Sequence, residues 1–185
     1  FQAGGSARGL AFAARHAECV FVGAPTLAGT RKATAQVREA IGAAGRDPRA
    51  VKVYAMFTVI VDADDAAAQA RLARYQAQAD TTGAAALLAG WTGVDLSRHA
   101  LDDPLEYVDT IAGQSALAAF SKLDPTRRWT VRDAIDYVAL GGRGPVIAGG
   151  PATVADALQA WADEADLDGF NPVSYTHLTL PTIYS

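Results

Sequence analysis

The residues best suited to chemistry stand near the start of the chain. Gln2-Ala3-Gly4-Gly5-Ser6 joins an extended segment to a helix through two glycines and a hydroxyl. A helix N-terminus presents unpaired N–H groups, glycines let the main chain approach a ligand closely, and a serine adds a hydroxyl, so this turn suits a phosphate. The same residues also suit a plain connection, in which the glycines reverse the chain and Ser6 only caps the helix. No lysine follows the glycines, and Gly4-Gly5-Ser6-Ala7-Arg8-Gly9 lacks the dinucleotide register, so neither nucleotide fingerprint is present.

Other candidates have simpler accounts beside the functional ones. The loop Gly141-Gly142-Arg143-Gly144-Pro145 can cradle an anion through Arg143 or serve only as a flexible helix-to-strand link. Trp91 and Trp129 border an irregular stretch, where aromatic rings either wall an apolar pocket or pack the stretch onto the body of the protein. Asp62, Asp64 and Asp65 crowd three carboxylates together, but between a strand and a helix, where capping and the helix dipole explain them better. No Cys or His accompanies them, which argues against a metal. His16 falls in the last turn of a helix, where a cation complements the dipole, and His99 falls in the irregular stretch as a solvated loop residue. The single cysteine, Cys19, sits in the apolar run Cys19-Val20-Phe21-Val22, which excludes intrachain disulfides and cysteine-rich metal sites and fits a reducing cytoplasm.

The elements that must position these residues alternate along the chain. Ser6 caps a helix in which Leu10, Ala13, Ala14 and Ala17 recur at helical spacing, and the run Cys19 to Val22 reads as a strand buried on both faces. A helix is predicted over Thr30 to Ala44, then a strong strand over Val51 to Val61, then an Ala-rich helix from Asp65 to Ala79. Between Gly90 and Thr130 the pattern loosens into an excursion. Regularity returns with a helix over Val131 to Leu140, a short strand at Val146 to Ala148, a helix over Ala152 to Glu164, and a last strand beginning at Asp168-Gly169-Phe170-Asn171. Strand–helix alternation of this kind implies α/β architecture with a parallel sheet.

Composition sets outer bounds. The 185 residues are 50% hydrophobic and carry 16 basic against 20 acidic side chains, a net charge of −4 with no long basic cluster, so binding to nucleic acid or an anionic membrane is not expected. No apolar run approaches the roughly 20 residues of a membrane span. Residues 173–185, beginning Val173-Ser174-Tyr175-Thr176-His177, resemble a translated transposase adapter and are set aside, leaving residues 1–172 for fold reasoning. With no initiating Met, the chain is expected to be an internal piece of a longer protein.

Phe1-Gln2-Ala3-Gly4-Gly5-Ser6-Ala7-Arg8-Gly9, followed by Phe12-Ala13-Ala14-Arg15-His16-Ala17-Glu18, resembles the nitrilotriacetate monooxygenase family of bacterial-luciferase-like flavin-dependent enzymes. The likeness continues through Gly45-Arg46-Asp47-Pro48, the loop at 141–145, Val154-Ala155-Asp156-Ala157-Leu158 and Asp168-Gly169-Phe170-Asn171. It implies the C-terminal half of a (β/α)8 TIM barrel with an insertion before the last strand. It also implies an FMN-dependent monooxygenase that takes reduced flavin from a partner reductase and uses oxygen on a small organic or xenobiotic substrate. By the same resemblance Gly4, Gly5 and Ser6 bind the FMN phosphate, Gly5 standing where many relatives have a second serine. The family's ring-contacting and catalytic residues have no counterpart in these positions. A deazaflavin-dependent oxidoreductase and a non-catalytic flavin-binding subunit are the alternatives. A half-barrel would expose strand edges, so self-association and an inactive isolated piece are expected.

Overall fold

The computed structural model describes residues 1–106 and 114–172, so the adapter-like stretch 173–185 lies outside the described residues. The backbone alternates as α1 (Ala7–His16), β1 (Cys19–Val22), α2 (Leu27–Ala43), β2 (Lys52–Val61), α3 (Asp65–Ala77), α4 (Thr81–Thr92), α5 (Gln114–Ser121), α6 (Val131–Gly141), β3 (Val146–Gly149), α7 (Pro151–Ala165) and β4 (Gly169–Pro172). The predicted strands and helices are present, with boundaries shifted by one to three residues. The excursion lies between β2 and β3, ahead of both final strands. α4 runs from its Asp80 cap to Gly93, in the left-handed conformation at φ 71°, and so reaches the excursion only at its last turn; among the described residues beyond it α5 is the one α-helix there.

Every strand pairs in parallel with β2. β1 pairs from Cys19↔Lys52 to Val22↔Ala55, β4 from Tyr54↔Gly169 to Phe57↔Pro172, and β3 from Thr58↔Val146 to Val61↔Gly149. Because β1 and β4 both bond to Tyr54 and Ala55, they lie on opposite edges of β2. Gln2 extends the sheet beyond β1 through a parallel bridge to Val20.

Alternation along β2 separates two faces. Val53, Ala55 and Phe57 are fully buried with Val20 and Val22 against Ala13 and Ala14 of α1, Val37 and Ile41 of α2, and Leu158 and Trp161 of α7. Phe57 meets Trp161 and Phe170 edge-on, with ring centroids 4.8 and 5.3 Å away. Tyr54 and Met56 point to the other face with Phe21 and are only half-buried. A second core joins α4, α5 and α6 through Leu88, Leu117, Phe120, Trp129 and Ile135.

One cation holds the lower edge of the sheet together. Arg38 on α2, 11% exposed at its side chain, donates to the carbonyls of Pro48 (2.7 Å) and Val51 (2.6 Å) and to Asp168 Oδ2 (2.6 Å). Asp168 also accepts from the Val53 amide (2.9 Å) and from Lys52 Nζ (3.2 Å). Burial pushes the Asp168 carboxyl up, but the Val53 amide, Arg38 and Lys52 together outweigh it and hold the group below its ordinary value. The stabilisation is complete above about pH 4, the ordinary unfolded carboxylate range, and is lost as pH falls through the depressed folded value. Replacing Asp168 by Asn should cost about 2 kcal/mol at pH 7, as loss of charge-assisted bonds does. Urea unfolding should show the gap between parent and variant closing as pH falls through the folded value; a gap independent of pH would refute the assignment.

Candidate functional site

The glycine turn leaves the sheet beside the C-terminal end of β1. Gln2 is held in register by its amide, which donates to the Cys19 carbonyl at 2.9 Å, and by its carbonyl, which accepts from the Phe21 amide at 2.8 Å. Ser6 is the cap of α1, as its type and place predict: its Oγ accepts from the Gly9 amide at 3.1 Å, which leaves the hydroxyl proton able to donate outward. Gly9 shows how tight the turn is. A Cβ there would stand 2.6 Å from the Gly4 carbonyl oxygen, and one at Gly4 would stand 2.8 Å from Gln2 Nε2. The chain thus folds Gly4 directly onto the first turn of α1. That requirement for Gly9 is missed by motif reasoning, although a third glycine five residues after Gly4 is its sequence trace.

A cavity of about 550 Å³, the size of a small-molecule site, opens beside this turn. Ala3, Gly4 and Gly5 line it, Phe21 and Met56 give it an apolar wall, and Lys32, Lys122 and Arg143 bring positive charge. Ser6 follows the lining residues as the cap and is not itself part of the wall.

The structure therefore brings Arg143 to the same cavity as Gly4 and Gly5. Gly144 explains how: a Cβ there would overlap the Met56 carbonyl oxygen and lie 3.1 Å from the Phe57 Cα, so the loop rests flat on the β2 backbone. The Thr58 amide donates to the Pro145 carbonyl at 2.9 Å and fixes the loop in that place. The Arg143 guanidinium sits 5.5 Å from the centre of the Trp91 ring, a cation–π arrangement that orients it. Asp124, 6% exposed, ties the excursion to the same rim. The Thr126 and Thr26 hydroxyls donate to its carboxylate and, against burial, hold its pKa below the ordinary value. Thr26 in turn caps α2 through the Gly29 amide at 3.1 Å.

The remaining candidates resolve into structural roles. Trp129 is 4% exposed and packs edge-on against Phe120 and Tyr137, with the Arg127 guanidinium 3.8 Å over its ring, so it is core and not a pocket wall. Trp91 is half-buried, stacks with Arg143 and lines a small cavity that shares Gly23 and Arg143 with the larger one. The three aspartates part company: Asp62 pairs with Arg71 at 2.6 Å, Asp64 caps α3, and Asp65 reaches across to accept from Gly150 N (2.7 Å) and Thr153 Oγ1 (3.0 Å). Asp65 thus caps α7, whose own cap residue, Gly150, has no side chain. Among the described residues no group of three His, Cys, Asp or Glu side chains is placed to hold a metal. His16 closes α1 against the Phe12 ring at 4.9 Å, and His99 is exposed with Nδ1 4.0 Å from Asp103.

Residues 1–167 match the family model of the luciferase-like monooxygenases. Dimethyl-sulfide monooxygenase of Hyphomicrobium sulfonivorans is 39% identical over 171 residues, 92% of this chain and 36% of that protein. The crystal structure of DmoA from the same organism superposes with a TM-score of 0.73 at 39% identity, covering 93% of this chain and 36% of that one. A riboflavin lyase, solved with modified FMN and riboflavin, superposes with a TM-score of 0.77 at 30% identity over 100% of this chain and 42% of its own. The chain accordingly spans little more than a third of the length of the relatives it matches.

Gly9→Ala is the sharpest test of the turn. The added methyl has only backbone to press on, so Gly4 to Ser6 must move. Overpacking of this kind costs about 1–3 kcal/mol. Thermal unfolding should fall by that amount, with amide chemical shifts changing across residues 3–10; an unperturbed spectrum would show that the turn tolerates the methyl.

Proposed function

The chain belongs to the luciferase-like monooxygenase family, and from that premise we propose that it forms the C-terminal part of the (β/α)8 barrel of an FMN-dependent, two-component monooxygenase. Its parallel sheet, with helices packed on the Val53–Phe57 face and half-buried side chains on the other, supports that place in a barrel. A partner reductase supplies reduced flavin, and oxygen and a small organic molecule are the co-substrates. The resemblance of the opening motif, Gln2 to Gly9, supports the nitrilotriacetate monooxygenase type within the family. The piece alone is inactive in this proposal, and the complete enzyme self-associates and works in the cytoplasm.

The observation that carries the proposal is the strand–Gly4-Gly5-Ser6–helix turn opening onto the cavity. These residues fit a phosphate-bearing flavin: Gly4 and Gly5 leave the main chain bare at the cavity wall, Gly9 lets the turn lie close on α1, and the Ser6 hydroxyl retains a donor. FMN, when bound, supplies the redox chemistry that activates oxygen. The chain's own contribution is to bind and orient: amides and hydroxyl on the phosphate, Phe21 and Met56 as an apolar wall that limits water. The turn's geometry favours FMN over riboflavin, which has no anion for it to hold.

Bonds to a charged acceptor contribute about 1.5–3 kcal/mol, so Ser6→Ala should weaken FMN binding about 10- to 100-fold by fluorescence titration. The substitution also removes an N-cap worth about 1 kcal/mol, so thermal stability is to be measured without flavin. Lower stability with unchanged FMN affinity would reduce Ser6 to a cap. Failure of the complete enzyme, given a flavin reductase, to oxygenate organic sulfides or related small molecules would refute the proposed activity.

A further inference from the structure

Among the described residues three buried side-chain atoms have no hydrogen-bond partner: Thr34 Oγ1, Trp129 Nε1 and the Tyr137 hydroxyl. Of the three residues only Tyr137 borders either of the two cavities. It borders the small one, of about 20 Å³, which shares Gly23 and Arg143 with the larger. Ala24 and Pro25 after β1, Trp91 in the last turn of α4, and Ala119 and Phe120 on α5 make the wall around the phenol apolar. The Tyr137 ring is held edge-on by both Phe120 and Trp129, each centroid 5.6 Å away, so the direction of its hydroxyl is fixed. Burial raises the phenol's pKa above its ordinary value, Arg143 opposing only in part, so the group stays protonated and can donate. An unpaired buried hydroxyl destabilises a fold, and beside a cavity it is placed to meet a ligand's acceptor. Room of this size holds one water-sized group, so a single carbonyl oxygen fits and a carboxylate or sulfonate, with its further oxygens, does not.

We propose that the small cavity is a specificity pocket for an uncharged substrate end group bearing one acceptor oxygen, as a ketone does, and that the Tyr137 hydroxyl donates to that oxygen. The substrate's apolar body then extends into the larger cavity, towards Phe21, Met56 and Leu123. This rests on the reading above, in which the larger cavity holds FMN and an organic co-substrate. Tyr137 selects and orients the end group and takes no part in a bond-making step.

The test uses the complete enzyme loaded with oxidised FMN and calorimetric titration with 2-octanone. Tyr137→Phe keeps the ring and removes only the hydroxyl, so it should weaken 2-octanone about three- to ten-fold. FMN affinity should stay within about two-fold, and without ligand the variant should melt no lower than the parent, because the hydroxyl it loses has no internal partner. The infrared carbonyl band of bound 2-octanone should lie below its position in hexane and move back towards it in Tyr137→Phe. Ala119→Leu, which fills the pocket, should abolish the binding while sparing FMN. Equal affinity of parent and Tyr137→Phe for 2-octanone, with an unmoved carbonyl band, overturns the proposal and leaves the phenol to solvent. A ligand-free Tyr137→Phe that melts well below the parent overturns it too, since the hydroxyl would then serve the fold. If the protein fails to bind FMN yet takes up 2-octanone in a Tyr137-dependent manner, the flavin reading falls and the pocket stands.

Discussion

Every other strand of the sheet is hydrogen-bonded to β2, so the register of that one strand determines which side chains face the helices and which face the cavity. Side chains alternate along a strand, and a slip of one residue would exchange Val53, Ala55 and Phe57 for Tyr54 and Met56. The exchange would bury a phenol among alanines and turn Phe57 away from Trp161. A side-chain clash marks the register from the opposite strand: a Cβ at Gly169 would stand 2.6 Å from the Tyr54 ring, so β4 carries a glycine where the ring lies across it. β2 can pair in parallel on both edges because its length, ten residues, gives β4 and β3 successive stretches of the ladder.

The two ends of the strands divide the work. At their N-terminal ends, Arg38 and Asp168 join α2, the segment before β2 and the start of β4 through buried and half-buried charge. At the C-terminal ends lie the glycine turn, Arg143 and the cavity. The division agrees with the family's barrel, in which the C-terminal rim carries chemistry. Asp124 sits at that rim as well, but its work is to hold the excursion against α2 through Thr26. The excursion thereby becomes part of the cavity wall through Lys122 and Leu123.

Local patterns made most of this architecture legible. The β-branched run of β2, the Ser6 cap, the stop of α2 before Gly45 and the Gly-Pro entry to α7 are decided within a few residues of themselves, and each stands where the sequence puts it. What escaped sequence reasoning depends on partners far along the chain. α4 has little polar contrast around its surface, so its helical face shows only when α6 packs against it. Asp65 is visible as an acid at a helix start, but the helix it caps is α7, more than eighty residues later. Arg38 looks like any surface arginine until Asp168 and two carbonyls close around it. Trp129 carries the aromatic signal of a pocket wall, and only the rings of Phe120 and Tyr137 reveal it as core.

The candidate site was legible in its glycines and in Arg143, an anion-binding candidate from its loop, but not in Lys32, and the reason is physical. A backbone that must approach another backbone closely excludes any side chain at that point, so Gly4, Gly9 and Gly144 leave a trace that survives in one sequence. A lysine on a helix does not: Lys32 is an ordinary residue type, and only the fold brings it to the same cavity as Arg143. A turn built of amides would hold an anion by shape and partial charge, nearly independently of side-chain identity. Side-chain cations act by full charge and can be gained or lost by single substitutions. The backbone part of this cavity wall is therefore the more constrained and its charged side chains the more adjustable.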